Sequence, residues 1–450
     1  FDQNEGVYGS GGGLYAYYEA DLVLTDSVYT DNQATGGGGL YAYYGTDITG
    51  SGLTFDGNQA TSYAGGAVSL TGGSNDTWRI TGSTLTDNTA GTDGGGILAA
   101  QGVALTLDDV SLLRNSAGDE GFGGGLAAAG TTRVTVTHST LAGNVARYGG
   151  GAYVSDANSG GTWTNDLLVE NTAAIGGALC LVDSVRQTVW NNDLLGNAAT
   201  EGGGALCLTG VQADVRNNLF GWTTAGPAVE IWASESKGEA TFGYNAWHEN
   251  PGGNAAEGSG DPAGAPGSVA GDPRLVAYSR NGVSDDDVYT PWTDSPLLDA
   301  GDPEILDPDG GPSDIGVTGG PEADPTDADS DGYPGRVDCD DANASVNPAA
   351  FETWYDGVDS DCGGESDYDQ DGDGADSADH GGTDCADSDP TVTTCAEDTG
   401  SPDTASERDT DTTVGGGCGC ATGGPTSAAG IALLSGILGL ARRRRAPTGR

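Results

Sequence analysis

Gly176-Gly-Ala-Leu-Cys-Leu-Val182 returns 27 residues later as Gly203-Gly-Ala-Leu-Cys-Leu-Thr209. Outward from this pair, a Gly-Gly-(Gly/Ala) triplet begins at Gly11, Gly37, Gly65, Gly94, Gly123, Gly150, Gly176 and Gly203, at intervals of 26, 28, 29, 29, 27, 26 and 27 residues. A second mark keeps the same beat, a large apolar residue followed three positions later by Asn. It recurs at Tyr29–Asn32, Phe55–Asn58, Leu85–Asn88, Leu112–Asn115, Leu141–Asn144, Leu168–Asn171 and Leu194–Asn197. Two markers in phase over about 200 residues specify a solenoid.

The residue types choose among solenoids. Leucine-rich repeats share the period but need a stricter Leu ladder, and many need a helical turn in each repeat. Here the units read as Ala104–Val110 (ALTLDDV), Thr132–Thr140 (TRVTVTHST) and Gly177–Val182 (GALCLV), short Val, Thr, Tyr and Leu runs between Gly, Asn and Asp turns. That is strand and turn chemistry. The expected fold is all-β, a right-handed parallel β-helix of about nine coils of ~27 residues with three short strands each, stacked at ~4.8 Å. Identical positions then form columns. The column after the triplet, Leu14, Leu40, Val68, Ile97, Leu126, Tyr153, Leu179 and Leu206, is expected to be core. The Asn column reads as a turn residue in left-handed geometry, its side chain bonded to the Asn of the next coil.

The paired marks resemble the FxxN and GGA(I/L/V) repeats of chlamydial polymorphic membrane proteins. Phe1-Asp-Gln-Asn4 and Phe55-Asp-Gly-Asn58 carry the first form, Gly65-Gly-Ala-Val68 and Gly176-Gly-Ala-Leu179 the second. The resemblance covers residues 1 to about 220 and implies a surface β-helix, a fold that hosts many functions.

Sixty-seven acidic against sixteen basic residues give a net charge of −51 in 450 residues. Phosphate binding needs basic residues, so no nucleic-acid partner is expected. The densest carboxylates lie between Asp324 and Asp411, a stretch that repels itself unless cations neutralise it. The chain starts at Phe1 inside a repeat, without Met, which reads as a missing natural start. At the far end Gly415-Gly-Gly-Cys418-Gly-Cys420 precedes an uncharged run, Pro425–Ala441, and then Arg442–Arg445. Ser427–Ala441 would span about 22 Å as a helix, short of a ~30 Å hydrocarbon core, and the basic end marks the cytoplasmic side. This order resembles the C-terminal sorting signal of myxobacterial surface proteins. The resemblance implies export and sorting machinery, removal of the tail, and membrane attachment near Cys418 or alternatively Cys420.

Between solenoid and tail, Gly271–Val276 and Asp294–Pro321 resemble the closing segment of bacterial secreted β-helix proteins, with Asp299, Asp302 and Asp314 as turn and cap residues. Beyond it, Asp327, Asp329, Asp331 and Asp338 fall at positions 1, 3, 5 and 12 of a loop near EF-hand spacing, although Pro325 and Pro334 argue against EF-hand helices. The stretch resembles the MopE-type metal-binding motif through Asp338-Cys339-Asp340-Asp341, Asn347-Pro348, Glu352, Asp356, Asp359 and Asp361-Cys362. A degraded second copy holds Asp369, Asp371, Asp373 and Asp384-Cys385. An oxygen-rich donor set in a chain with no Met and three His favours calcium over copper. The eight cysteines fit an oxidising location. Cys339 with Cys362 and Cys385 with Cys395 would staple small loops, while Cys180 and Cys207, one coil apart, leave pairing open.

Two features bear on activity. Asp108, Asp109 and His138 are the best catalytic constellation, Asp109 and His138 sharing a column; that column also reads Asp26, Gly52, Gly82, Asn165 and Asn191, a series of turn formers, and turn is the preferred reading. The repeated Leu-Tyr-Ala-Tyr-Tyr places Tyr15, Tyr17, Tyr41 and Tyr43 outward as a two-by-two patch suited to a polysaccharide or cell-surface ligand. The expected organisation is β-helix at 1–250, closing segment at 251–322, metal-binding stalk at 323–397, linker at 398–424 and an apolar sorting helix at 425–450. The expected function is surface binding or adhesion, with a β-helix lyase or hydrolase and a structural coat as alternatives.

Overall fold

The computed structural model describes residues 1–394 apart from 74–75, 131–132, 158–159, 233–238, 257–258, 280–286, 293, 309, 324–342, 348–349, 361–365, 371–374, 387 and 389–393, and describes Val7, Tyr8 and Asp379 by backbone alone. The expected sorting helix, Cys418 and Cys420 lie outside these residues. Among the described residues no helix is long and apolar enough to cross a membrane.

Short alternating runs become strands because each coil pairs its backbone with the next. One face of the resulting parallel β-solenoid is a nine-stranded sheet from Leu14–Tyr17 to Val229–Trp232. The other faces follow the same rule: Gln187–Trp190 pairs in register with Gly161–Thr164 and Ala213–Arg216, and Asp193–Leu195 with Leu167–Val169 and Leu219–Gly221. In two coils the second and third strands run on as Thr77–Thr86 and Ala104–Leu113. Alternation within strands fills the interior. Leu40, Val68, Ile97, Leu126, Leu179 and Leu206 are buried in one core with Leu85, Leu112, Leu141, Leu168 and Leu194.

One core residue is corrected. Ala152, not Tyr153, pairs with Leu126 and Leu179, so the triplet of that coil begins at Gly149. Gly149-Gly-Gly-Ala152 admits either frame, and the inward position takes the small residue while the same coil contributes Trp163, the largest fully buried side chain. Tyr153 turns outward against Phe122, with ring centroids 4.6 Å apart.

The triplet has two separate causes. In seven of the eight coils, all but that of Gly203, its first glycine takes a left-handed conformation, as at Gly94 (φ 63°) and Gly123 (φ 64°). A side chain on its second glycine would run into the carbonyl oxygen of the next coil, as Gly124 would into Gly150, so stacking itself forbids a Cβ there.

The Asn column is a buried ladder. Asn88 Nδ2 donates to Asn115 Oδ1 at 2.9 Å, Asn115 to Asn144 at 3.1 Å, and Asn144 to Asn171 at 2.9 Å. Each oxygen also accepts the neighbouring backbone N–H, and each amide donates back to a carbonyl, as Asn115 does to Leu85 at 2.8 Å. The left-handed residue is the one before the Asn: Asp31, Gly57, Asp87, Arg114, Gly143, Glu170 and Gly196. The amide needs a non-strained backbone to aim along the stack, and the preceding residue makes the corner.

The closing segment does not stop at the last coil. Tyr289, Leu297 and Ile315 pack lengthwise on Ala142, Val169, Leu195, Leu219 and Ala246, one from each of five successive coils. The cause lies in two outward columns: one reads Thr30, Asp56 and Thr86 in early coils but Ala142, Val169 and Leu195 later, and the column two residues before it continues the strip as Leu219 and Ala246. That apolar strip has to be covered. The strap is held by Asn165 Nδ2 donating to the Val317 and Gly319 carbonyls at 2.8 and 2.7 Å. Asp302, buried, meets Arg216 Nη1 at 2.6 Å, and its N–H donates to Asn217 Oδ1 at 2.8 Å. Asp314 Oδ1 accepts the N–H of Asp299, itself left-handed at φ 53°.

Candidate functional site

The tyrosine patch is built from register. Tyr15 pairs with Tyr41 and Tyr17 with Tyr43, while Ala16 and Ala42 point into the core. Their rings stack across the coils at 5.5 and 5.7 Å, within 7° and 6° of parallel. Two tyrosines absent from the expected set complete the patch. Tyr18 and Tyr44 adopt left-handed backbone at the end of each strand and stack at 5.7 Å. The repeated Tyr-Tyr doublet was their signal; a strand-only alternation leaves the second tyrosine of each doublet unplaced.

The result is two files of three rings, with neighbours along each strand 6.1 to 6.4 Å apart. Tyr15, Tyr17, Tyr18 and Tyr44 are at least half exposed. The next coil carries Ser69 and Thr71 at the positions of Tyr41 and Tyr43, so the aromatic files end there. Each ring shares a face with its stacking partner, so the pair offers ring edges rather than that face to a ligand. Burial and then the neighbouring Tyr15 and Tyr43 push the Tyr41 hydroxyl above its ordinary pKa, so it stays a donor at neutral pH.

The Asp109/His138 column is the second turn of each coil. Asp26, Gly52, Gly82, Asp109, His138, Asn165, Asn191 and Asn217 all take positive φ, which accounts for the turn-forming residue types. The structure also shows how the carboxylates are engaged. Asp108 pairs with Arg79 at 2.9 Å and accepts from Thr137 Oγ1 at 2.9 Å. His138 Nδ1 lies 3.3 Å from Asp108, and its Nε2 donates to the Glu322 carbonyl at 2.7 Å, so neither ring nitrogen is open to a substrate. Burial works to raise the Asp108 carboxyl, but His138, Thr137 and Arg79 together bring it below the usual range. Asp109 moves the other way, raised by burial and then by the Asp108 charge.

Of the expected metal ligands, Asp356, Asp359 and Asp369 are described. Asp327, Asp329, Asp331, Asp338, Asp340, Asp341, Asp361, Asp371 and Asp373 lie outside the described residues, as do Cys339, Cys362 and Cys395. Cys385 is disulfide-bonded, whereas Cys180 and Cys207 are free thiols. The described acidic side chains cap nearby backbone. Glu352 accepts the N–H of Thr353 and Ser360 at 2.9 and 2.8 Å, and Asp367 those of Tyr355 and Gly357 at 2.9 and 2.6 Å. His380 stacks on Tyr355 at 4.6 Å. Among the described residues no three carboxylate, thiol or imidazole groups converge on one point. Asp384 is nearly fully buried, and its Oδ2 has no hydrogen-bond partner among them. An acidic, oxygen-only donor set with one such buried oxygen fits a hard cation.

Residues 338–368 match the family Cu-binding_MopE, described as "Putative metal-binding motif". The match takes in Asp356 and Asp359 together with Glu352 and Asp367, and it leaves the solenoid outside its bounds. No curated protein and no solved structure matches the chain. A metal-binding motif thus accompanies a β-helix scaffold.

Proposed function

We propose that this is an exported, surface-anchored protein whose β-helix carries the tyrosine platform as a binding site for glycans or other surface ligands. The platform carries this reading: six stacked tyrosines, mostly exposed, on a backbone fixed by inter-coil pairing. Tyrosine offers large, stiff contact area with a hydrogen-bonding tip, the pairing that sugar rings and glycan hydroxyls require. Export is supported by the MopE-type match, the −51 charge and the order of Cys418, Cys420, apolar run and Arg cluster. Calcium, held by Asp327–Asp341 with Asp356, Asp359 and Asp361, neutralises the acidic segment, and Cys339–Cys362 and Cys385–Cys395 staple it. The tail is removed and the mature end attached at Cys418.

A glycan array read beside a reducing-sugar assay tests the reading. Changing Tyr15, Tyr17, Tyr41 and Tyr43 to Ser is expected to abolish binding while the unfolding transition barely moves, and no polysaccharide is expected to be cleaved. Turnover that disappears in Asp109→Asn would replace the binder with a hydrolase or lyase.

A further inference from the structure

Cys180 and Cys207 are register neighbours on parallel strands of adjacent coils. Leu179, Leu181, Leu206 and Leu208 around them face the core, so alternation sends both thiols to the opposite side of the sheet. There they meet under the glycine turn: a Cβ on Gly176 would lie 2.7 Å from Cys180 Cβ and 3.1 Å from Cys207 Cβ. Parallel neighbours stand about 4.8 Å apart at Cα, inside the roughly 4.4–6.8 Å that a disulfide spans. Both residues are nevertheless almost wholly buried, at 2% and 0% exposure, and both are free thiols. The same column places Tyr153 before them and Glu230 after them, neither of which stabilises a thiolate.

We propose that Cys180 and Cys207 close a cross-coil disulfide when the chain folds in the presence of a small-molecule disulfide, and that a chain folded without one seals them as an unreactive dithiol. The bond has to form before the Gly176 turn closes over it. One cysteine thiolate attacks the small disulfide, making a mixed disulfide and releasing one thiolate. The second cysteine thiolate displaces the other, and the two cysteine protons end on the two released thiols. After closure, attack is blocked twice. No oxidant reaches sulfur, and burial, reinforced by the neighbouring Cys207 and Glu230, holds the Cys180 thiol well above its usual pKa. The pair therefore records the redox condition under which the coil folded, whatever the platform binds.

The test uses the full chain, produced once in a reducing compartment and once in an oxidising one. Trypsin cleaves after Arg147, Arg186 and Arg216, which separates the two cysteines onto peptides 148–186 and 187–216. Non-reducing peptide mapping of oxidised material is expected to find these peptides joined, and a Cys180→Ala/Cys207→Ala variant identifies bonds among the other cysteines. In reduced material both thiols are expected to react with iodoacetamide at least roughly 100-fold more slowly than in urea, because reaction requires the coil to open. Pairing of either cysteine with a distant one, its recovery as a free thiol from the oxidised protein, or rapid alkylation of the native dithiol would overturn the proposal.

Discussion

Asn115 in the solenoid and Glu352 in the acidic segment both satisfy backbone N–H groups, but across different distances in the chain. Asn115 ties itself to Leu85, Asn88 and Asn144, 27 to 30 residues away, and every one of those partners is buried. Glu352 and Asp367 reach backbone groups at most 12 residues distant. Apolar burial diverges in parallel: the solenoid has a continuous core, whereas among the described residues of 343–394 Phe351 is 95% exposed and Val346 is the one buried apolar side chain. One region is ordered by repetition across coils. The other is a set of local caps amid dense like charge, which the cation proposed above would neutralise.

The sharpest way to break the solenoid half of this contrast is Asn115→Ala. It strands the Asn88 N–H, one Asn88 amide hydrogen and the Leu85 carbonyl in a dry ladder, and at ~1–3 kcal/mol for each stranded group the expected loss is at least about 3 kcal/mol by denaturant unfolding. Asp302→Asn comes next. Removing the charge of one of the two carboxylates that meet Arg216, the other being Asp214, is expected to loosen the strap by about 2 kcal/mol, read as faster amide exchange in residues 297–317 with the inner strands unchanged.

Tyr17→Ser sits lower, expected to cost less than about 1 kcal/mol because an exposed ring loses stacking and little burial. Glu230→Gln is the smallest and has the opposite sign. Burial raises the Glu230 carboxyl, its Oε2 lacks a hydrogen-bond partner among the described residues, and only the Gly203 backbone works against the rise. A carboxyl raised on folding stabilises below its unfolded pKa, and that contribution is lost as pH rises through the folded value. The variant is therefore expected to unfold at a slightly higher temperature at pH 7, with the difference vanishing below about pH 4.

Much of the solenoid could be read in the sequence because its constraints repeat: each glycine or Asn position is stated many times, and the mean survives local noise. What repeats imperfectly was harder to place. Gly149-Gly-Gly-Ala152 offered two frames, and the register with the neighbouring coils decides for Ala152. The left-handed corner lies one residue before the Asn, at a position filled by Asp, Gly, Arg and Glu, where no single residue type signals it. The lengthwise strap depends on Ala142, Val169 and Leu195 meeting Leu297 and Ile315, contacts between segments that share no period. The tyrosine files followed from register alone, apart from the corner pair Tyr18 and Tyr44. The acidic segment shows its donor chemistry in its composition, but a ligand set is a matter of three-dimensional convergence, which spacing does not supply.

Hydrogen exchange of the whole chain with and without calcium, read region by region, tests this division directly. The expected result is protection gained across residues 338–368 on adding millimolar calcium, while the strands from Leu40 to Leu219 exchange identically in both conditions. Unchanged exchange in 338–368, or loss of protection in the solenoid when calcium is removed, would contradict an ion-independent scaffold joined to an ion-ordered segment.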